Sequence, residues 1–550
     1  MMASRAKATG AGLAVLVILG GLALLADGLR VNRYEGDVIH LVELALRMER
    51  GERPHADFMT PIGPLAIWPI ALAMSVGLGI GKAFVIAQIA LALLCVPLAA
   101  GIGARRFGGL GAAAFAALPA VLILSLVHGG TDPGLSISMH YNRWAWALGF
   151  IALGTALVPP IRRNALGDGA GIGLPLAALA LIKVTYVVGL LPAVLVLLAL
   201  RRDFGVMAIA AGLAIACLGV FTLGVGAGFW PGYFGDLLDT ARSQTRAYPG
   251  LSLAQVLTGP AYLVGHVAML AAVICLRRGG RAVEGLGLLL MLGGLVYITF
   301  QNFGNDPLWF APVGLLLLGL LPAGGGAAKG GDAARTGVLV AALVLAGLGA
   351  PYLVNLALSP VRHLAEDRAD YVPLLPRGGR HGDLLMETER ASRVNLLHAG
   401  EQGIAQLAAL RARADRSPPP SIGGTALPSC SLEGGLAGWF DMVARDLDTA
   451  ALPDGSRVVV ADLLESLWMF SERIAPLPGG APWRYGGLPG VQNATHFLVP
   501  LCPIDPGSRD EIVRLMAEEG HGLVPVRQTE LYTLYEIVPP NMPGIAARSR

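Results

Sequence analysis

Glu35 and Asp37 stand two residues apart in VNRYEGDVIHLVELALRMERG (residues 31–51), just after the first apolar segment of the chain. A carboxylate in that place can act as a base, hold a cation, or cap a helix. Asp37, before VIHLVELAL, has the residue type and position of an N-cap. Both acids straddle the expected helix start, where negative charge is favoured. Capping and base chemistry are compatible, because a capped carboxylate stays ionised.

More polar clusters interrupt the apolar sequence. GERPHADFMTPIGPLAIWP (51–69) carries Arg53, His55 and Asp57, either in a solvated loop or beside a lipid-borne substrate. HGGTDPGLSISMHYNRWAW (128–146) carries His128, Asp132, His140, Asn142 and Arg143, with Trp144 and Trp146 expected in an aromatic belt. Arg143 can grip a phosphate bidentately or snorkel to the interface. Lys183 lies deep in LALIKVTYVV, where an intramembrane charge is functional by default. FWPGYFGDLLDTARSQTRAYPG (229–250) offers Asp236, Asp239, Arg242 and Arg246, or simply an amphipathic loop helix. FQNFGNDPLWF (300–310) offers Gln301, Asn302, Asn305 and Asp306, or simply a Gly-Asn-Asp-Pro turn.

The elements holding these clusters follow from composition. The 550 residues are 54% hydrophobic and 14% charged, with mean hydropathy +0.61. Soluble chains keep about a quarter of their residues charged, so this is an integral membrane protein. The net charge of +3 says little about partners, and no basic patch interleaved with aromatics points to nucleic acid. The N-terminus has signal-peptide polarity, but the many later apolar runs favour a retained anchor, with Arg5 and Lys7 inside.

Spans of ~20 apolar residues fall near 11–29, 83–103, 109–128, 143–160, 168–185, 187–200, 206–228, 253–276, 285–301, 309–323 and 336–358. Segment 64–80 is left out of this set and read as an interfacial helix. With that choice, the basic loops 101–109, 160–169, 201–205, 277–281 and 327–335 all fall on the inner face. Every polar cluster above then falls on the outer face. A soluble α/β tail follows from about 361 to 550. Within it, 393–413 reads as a helix, 457–470 as strand then helix, THFLVPLC and LYTLYEIV as strands, and SRDEIVRLMAEEG as a helix closed by Gly520. Cys430 and Cys502 lie in this tail, where a disulfide is possible if it is extracytoplasmic.

The acidic YEGD opening of the first outward loop, two interfacial helices in that loop (30–82), ARRFGG, TDPG and GLPLAALALIKVTYVVGLLP together resemble the GT-C glycosyltransferases. That family includes protein O-mannosyltransferases, the aminoarabinose transferase acting on lipid A, and the catalytic subunit of oligosaccharyltransferase. The resemblance covers about residues 10–360. It implies an all-α polytopic bundle of about eleven helices with an extracytoplasmic α/β domain, in the cytoplasmic membrane of a bacterium. It implies transfer of a sugar, with inversion, from a polyprenyl-phosphate donor to a glycan, lipid or protein acceptor. Asp37 is then the base of first choice and Glu35 of second, and the sequence leaves the choice open. Arg143, Lys183 and Arg246 are candidates for the donor phosphate. His55, Asp57, His140, Asn142, Asn302, Asn305 and Asp306 are candidates for substrate contacts. Some members use a divalent cation (Mg or Mn), which Asp37 and Asp132 could hold here. TDPG offers one acid where metal users show two, which favours a metal-independent site. Two other readings compete: a transporter or flippase of a lipid-linked saccharide, which should show polar residues through several spans, and a membrane anchor presenting the tail.

Overall fold

Apolar runs of Leu, Ala and Gly satisfy their own backbone as helices, the form a single chain takes in lipid. The computed structural model describes residues 2–243, 251–302, 307–321, 331–398, 405–407, 410, 420–449 and 452–538. Seven of its helices are long and apolar enough to cross a membrane. They are α1 (Met2–Leu25), α4 (Ile80–Arg106), α7 (Ala165–Ile182), α9 (Phe204–Val225), α12 (Pro260–Arg278), α13 (Ala282–Gln301) and α15 (Gly331–Ala365). Three shorter apolar helices join them: α5 (Gly109–Leu124), α8 (Val184–Leu200) and α14 (Phe310–Gly319). The eleventh, α6 (His140–Leu157), is buried along its whole length. Trp144 and Trp146 are therefore core residues (1% and 4% exposed) rather than an interfacial belt.

The chain is a polytopic helical bundle, with eleven such helices among the described residues. The expected span at 253–276 is broken, because Gly259 and Pro260 separate a short α11 (Leu253–Thr258) from α12. Residues 64–80 form a 3-10 turn and an eight-residue α3 (Trp68–Ser75), too short to span. Two more helices lie outside the bundle, α2 (Glu35–Glu49) and the amphipathic α10 (Phe229–Arg242).

The bundle sorts its charges by end. Arg105 and Arg106 pair with Asp168, Arg201 pairs with Glu284, and Arg281 reaches the Leu321 carbonyl, all at the end away from the tail. The fifth basic loop, 327–335, lies partly outside the described residues. At the opposite end Lys183 is the single residue between α7 and α8, in extended conformation (φ −160°, ψ 104°). That makes the pair a hairpin with a lysine at its apex. Small residues set the packing: a Cβ on Gly294 of α13 would lie 1.9 Å from the Gly189 carbonyl of α8. This glycine contact lets the two backbones approach as membrane interfaces do. On the outward side, α9 exposes Ile215, Val220 and Leu223, a surface suited to lipid.

The tail is α/β. Its four-stranded sheet runs β10–β11–β9–β8, with β8 (Val458–Val460) parallel to β9 (His496–Pro500) and β11 (Tyr532–Val538) antiparallel to β9 and to β10 (Gly522–Gln528). The expected helix at 393–413 is instead a strand at its start: β4 (Asn395–His398) pairs with β7 (Cys430–Gly434). Its continuation lies largely outside the described residues. Helix Pro506–Glu518 forms as expected and ends near Gly520 (φ 72°). Cys430 and Cys502 are joined in a disulfide.

Tail and first loop are interleaved. Strand β1 (Leu29–Val31) runs parallel to β3 (Leu384–Glu387), which also pairs with β2 (Tyr371–Pro373). Leu29 faces Leu384 and Val31 faces Met386. Helix α2 is buried against the tail through Glu43, which accepts from Ser466 Oγ (2.6 Å), Trp468 Nε1 (2.9 Å) and Arg47 Nε (2.9 Å).

Candidate active-site cavity

The first turn of α2 begins at Glu35, with Tyr34 as its N-cap in left-handed conformation (φ 56°). Asp37 is therefore the third helical residue and not the cap. It still lies within the first turn, where the helix dipole favours its charge. Asp37 accepts a hydrogen bond from Ser138 Oγ at 2.5 Å. Ser138 stands just before α6, whose N-cap Met139 is also left-handed (φ 54°). Left-handed non-glycine residues cost of order 1–3 kcal/mol and cluster at functional sites. Two such residues launch the two helices that meet here.

Asp37 lines a cavity of about 660 Å³ between the bundle, the first loop and the tail. Lys183 lines the same cavity. Its Nζ donates to Asn142 Oδ1 (3.0 Å) and to Asn302 Oδ1, and it lies 5.3 Å from the Tyr141 ring centroid. Asn302 also donates to the Tyr186 hydroxyl at 3.0 Å. So Asn142 and Asn302, separated in sequence by the seven helices α7 to α13, hold the lysine from two sides. Val184, Leu237, Ala241, Tyr297 and Phe300 give the cavity an apolar wall. From the tail come Trp483, Arg484, Tyr485, Asp505 and Ser508.

Other expected residues are committed elsewhere. Glu35 is buried and accepts from the Ala437 N–H at 2.7 Å, at the start of tail helix Leu436–Thr449. Burial pushes its carboxyl up, while the N–H groups of Ala437, Leu436 and Gly435 and the Arg390 charge pull it down. Arg143 is buried and donates to the carbonyls of His128 (2.9 Å), Ser138 (3.1 Å) and Ser125 (3.2 Å). It thus ties down the loop that presents Ser138, and it does not line the cavity. His140 Nε2 bonds the Ala66 carbonyl at 2.9 Å. His55 (φ 67°) bonds Asp236 at 2.7 Å, and Asp57 accepts from the Arg53 N–H. Arg246, Asn305 and Asp306 lie outside the described residues.

The residues present do not build a cation site around Asp37 and Asp132. The Asp132 carboxylate sits 3.4 Å from Arg33 Nε, accepts from the Gly134 N–H, and does not line the cavity. Among the described residues, one grouping has metal-ligand spacing: His398, Cys430 and Cys502, whose two sulfurs are bonded to each other.

Several cavity residues were not singled out by sequence. His40 follows Asp37 by three positions, on the same helix face. Its ring packs on Trp483 (5.4 Å between centroids), and burial pushes the imidazole down to about 3, so it is neutral. Arg484 is held by Glu465 and by the Gly487 carbonyl (3.2 Å). The turn before Trp483 is pinned by the first loop, with Met59 N–H donating to the Gly480 carbonyl (3.0 Å) and Gly479 N–H to the Asp57 carbonyl (2.7 Å).

No family model matches the sequence, and no curated protein matches it. Among solved structures the chain is similar to the crystal structure of ArnT from Cupriavidus metallidurans in the apo state. The identity is 11%, the match covers 95% of this chain and 96% of that one, and the TM-score is 0.40.

Proposed function

We propose that this protein is a membrane glycosyltransferase that moves a sugar from a polyprenyl-phosphate donor to a hydroxyl acceptor. The observation that carries this reading is the pairing of Asp37 and Lys183 in one cavity. A carboxylate held by Ser138 and a cation held by Asn142 and Asn302 are the two charges that such a substitution needs.

In this reading the acceptor hydroxyl gives its proton to Asp37 as its oxygen bonds the anomeric carbon. The bond from that carbon to the phosphate oxygen breaks, and polyprenyl phosphate leaves with the electron pair. One displacement inverts the centre. Ser138 holds the Asp37 carboxylate in place, and Lys183, oriented by Asn142 and Asn302, meets the growing charge on the phosphate. Fixed charges aimed at developing charge are the largest single source of rate in many enzymes. The wall of Val184, Tyr297 and Phe300 suits the donor's lipid portion, and Trp483, Tyr485 and Asp505 suit a polar acceptor. The cavity then opens on the outer face of the cytoplasmic membrane. The four described basic loops, gathered at the far end, support that orientation.

The test is a transfer assay on purified full-length protein with a panel of polyprenyl-phosphate sugars. Asp37→Asn should lower turnover by about 10²–10⁴, the usual worth of a positioned base, with folding unchanged. Transfer at the wild-type rate in Asp37→Asn would overturn this assignment of the base. Transport of a lipid-linked saccharide without any transfer would overturn the reading as a whole.

A further inference from the structure

A second cavity, of about 510 Å³, lies at the end of the bundle farthest from the tail. Its walls come from the α6–α7 loop, the α8–α9 turn and the start of α13. Four arginines line it, Arg106, Arg163, Arg201 and Arg202, against Asp168, Asp203 and Glu284.

Two of the arginines make a fixed floor. Arg106 donates to the carbonyls of Thr155 and Val158 (2.9 Å each) and to Asp168 (2.9 Å). Arg201 donates to the carbonyls of Ala156 and Leu157 and to Glu284 (2.9 Å). Together they satisfy the orphan carbonyls at the C-terminus of α6, where cations are favoured. This consumes Asp168 and Glu284 as well.

The other two are not consumed. The Arg163 side chain is 87% exposed, and its one ion pair among the described residues is a long 3.9 Å contact to Asp203. Arg202 makes no side-chain hydrogen bond or ion pair among the described residues. Its backbone is telling. Arg202 closes α8 in left-handed conformation (φ 55°), with its N–H on the Ala199 carbonyl and the Asp203 N–H on the Leu198 carbonyl. Glycine takes this turn position without strain. The sequence keeps an arginine there.

Apolar side chains next in sequence to lining residues stand exposed: Ile161 (72%) after Pro160, Leu166 (66%) after Ala165 and Phe204 (60%) between Asp203 and Gly205. Two uncommitted guanidinium groups over a rigid polar floor, beside exposed apolar side chains at a membrane boundary, match one ligand chemistry. It is a phosphate attached to a hydrocarbon chain. Guanidinium binds phosphate bidentately, and basic pockets between membrane helices on this side accept anionic headgroups.

We propose that this cavity is a binding site for the phosphate of an anionic membrane lipid. Arg163 and Arg202 hold the phosphate, and Phe204 and Leu166 lie along the first part of an acyl chain. The site is separate from the Asp37 cavity and does not depend on the function proposed for it.

The test is native mass spectrometry of the full-length protein in detergent, titrated in turn with phosphatidylglycerol, phosphatidylcholine and inorganic phosphate. The wild type should retain phosphatidylglycerol at least tenfold more tightly than phosphatidylcholine. The double variant Arg163→Gln/Arg202→Gly should lose that preference. Arg202→Gly relieves the left-handed strain and Arg163 is exposed, so the variant should fold, which its melting temperature checks. Equal retention of the two lipids by the wild type would overturn the proposal, as would an undiminished preference in the double variant. Displacement of bound phosphatidylglycerol by micromolar inorganic phosphate would overturn the lipid as the source of the phosphate.

Discussion

Glu35 and Asp37 are two residues apart on one helical turn and serve different neighbours. Glu35 is turned into the tail, where it accepts from the Ala437 N–H, and Asp37 faces the cavity and Ser138. One acid therefore fastens the domain, and the other is the one proposed above as the base.

The two roles separate by substitution. Glu35→Gln keeps an acceptor oxygen and should retain transfer activity within a few-fold of wild type. Glu35→Ala should lower stability by about 1 kcal/mol, the usual cost of a lost helix cap, read as a drop in tail melting temperature. Full loss of transfer in a well-folded Glu35→Gln protein would move the base from Asp37 to Glu35.

Lys183 is held by two amides and faces the cavity. Lys183→Met should cut kcat by about 10²–10³, as removal of one charge-stabilising donor does. Acceptor KM should change little, because the proposed acceptor wall is supplied by the tail. A variant whose KM for the acceptor rises while kcat holds would place the lysine on the wrong substrate.

Asp462 gives the tail a pH signature. It is buried, and burial pushes its carboxyl up to about 7 against the N–H groups of Ile504, Asp505 and Leu463. A carboxyl raised in the folded state binds its proton more tightly there than in the unfolded chain. Its contribution to stability is therefore whole below the unfolded value near 4 and falls as pH rises through about 7. Glu465, also raised to about 7 by burial, acts in the same direction. Thermal melts between pH 5 and 8 should show falling stability, with a shallower slope in Asp462→Asn. Equal slopes in the two proteins would show that Asp462 is not the titrating group.

The Cys430–Cys502 bridge spans 72 residues of sequence. Closing a loop of that size removes about 4 kcal/mol of unfolded-chain entropy in the chain-entropy account. Reduction, or Cys430→Ser with Cys502→Ser, should lower the tail's denaturant midpoint while α1 to α15 keep their helical circular dichroism. A midpoint indifferent to reductant would show that the bridge does not restrain the tail.

Some of this was legible in the sequence. The division of the apolar run 168–200 into two spans near Lys183 is legible, because a charge at mid-membrane is expensive. The acids of YEGD announced a helix start. Arg143 was misleading: its type suits phosphate, but the carbonyls of Ser125, His128 and Ser138 that claim it are supplied by folding. Trp483 and Arg484 are not legible as cavity residues because nearly 450 positions separate them from Asp37. Strand β4 is not legible because the stretch 393–413 as a whole has helical apolar spacing while NLLH does not alternate, and only its partner β7 decides the matter.

Strand β1 has a consequence for how the protein is made. Leu29–Val31 follows directly on α1, and its partner β3 comes some 350 residues later. The strand stays without its partner while the ten bundle helices after α1 are synthesised. Non-local pairings of this kind are slow to form. The three-stranded sheet β1–β3–β2 therefore closes only after the chain between its strands has been made. Until then the carboxylate of Asp37 faces no finished cavity.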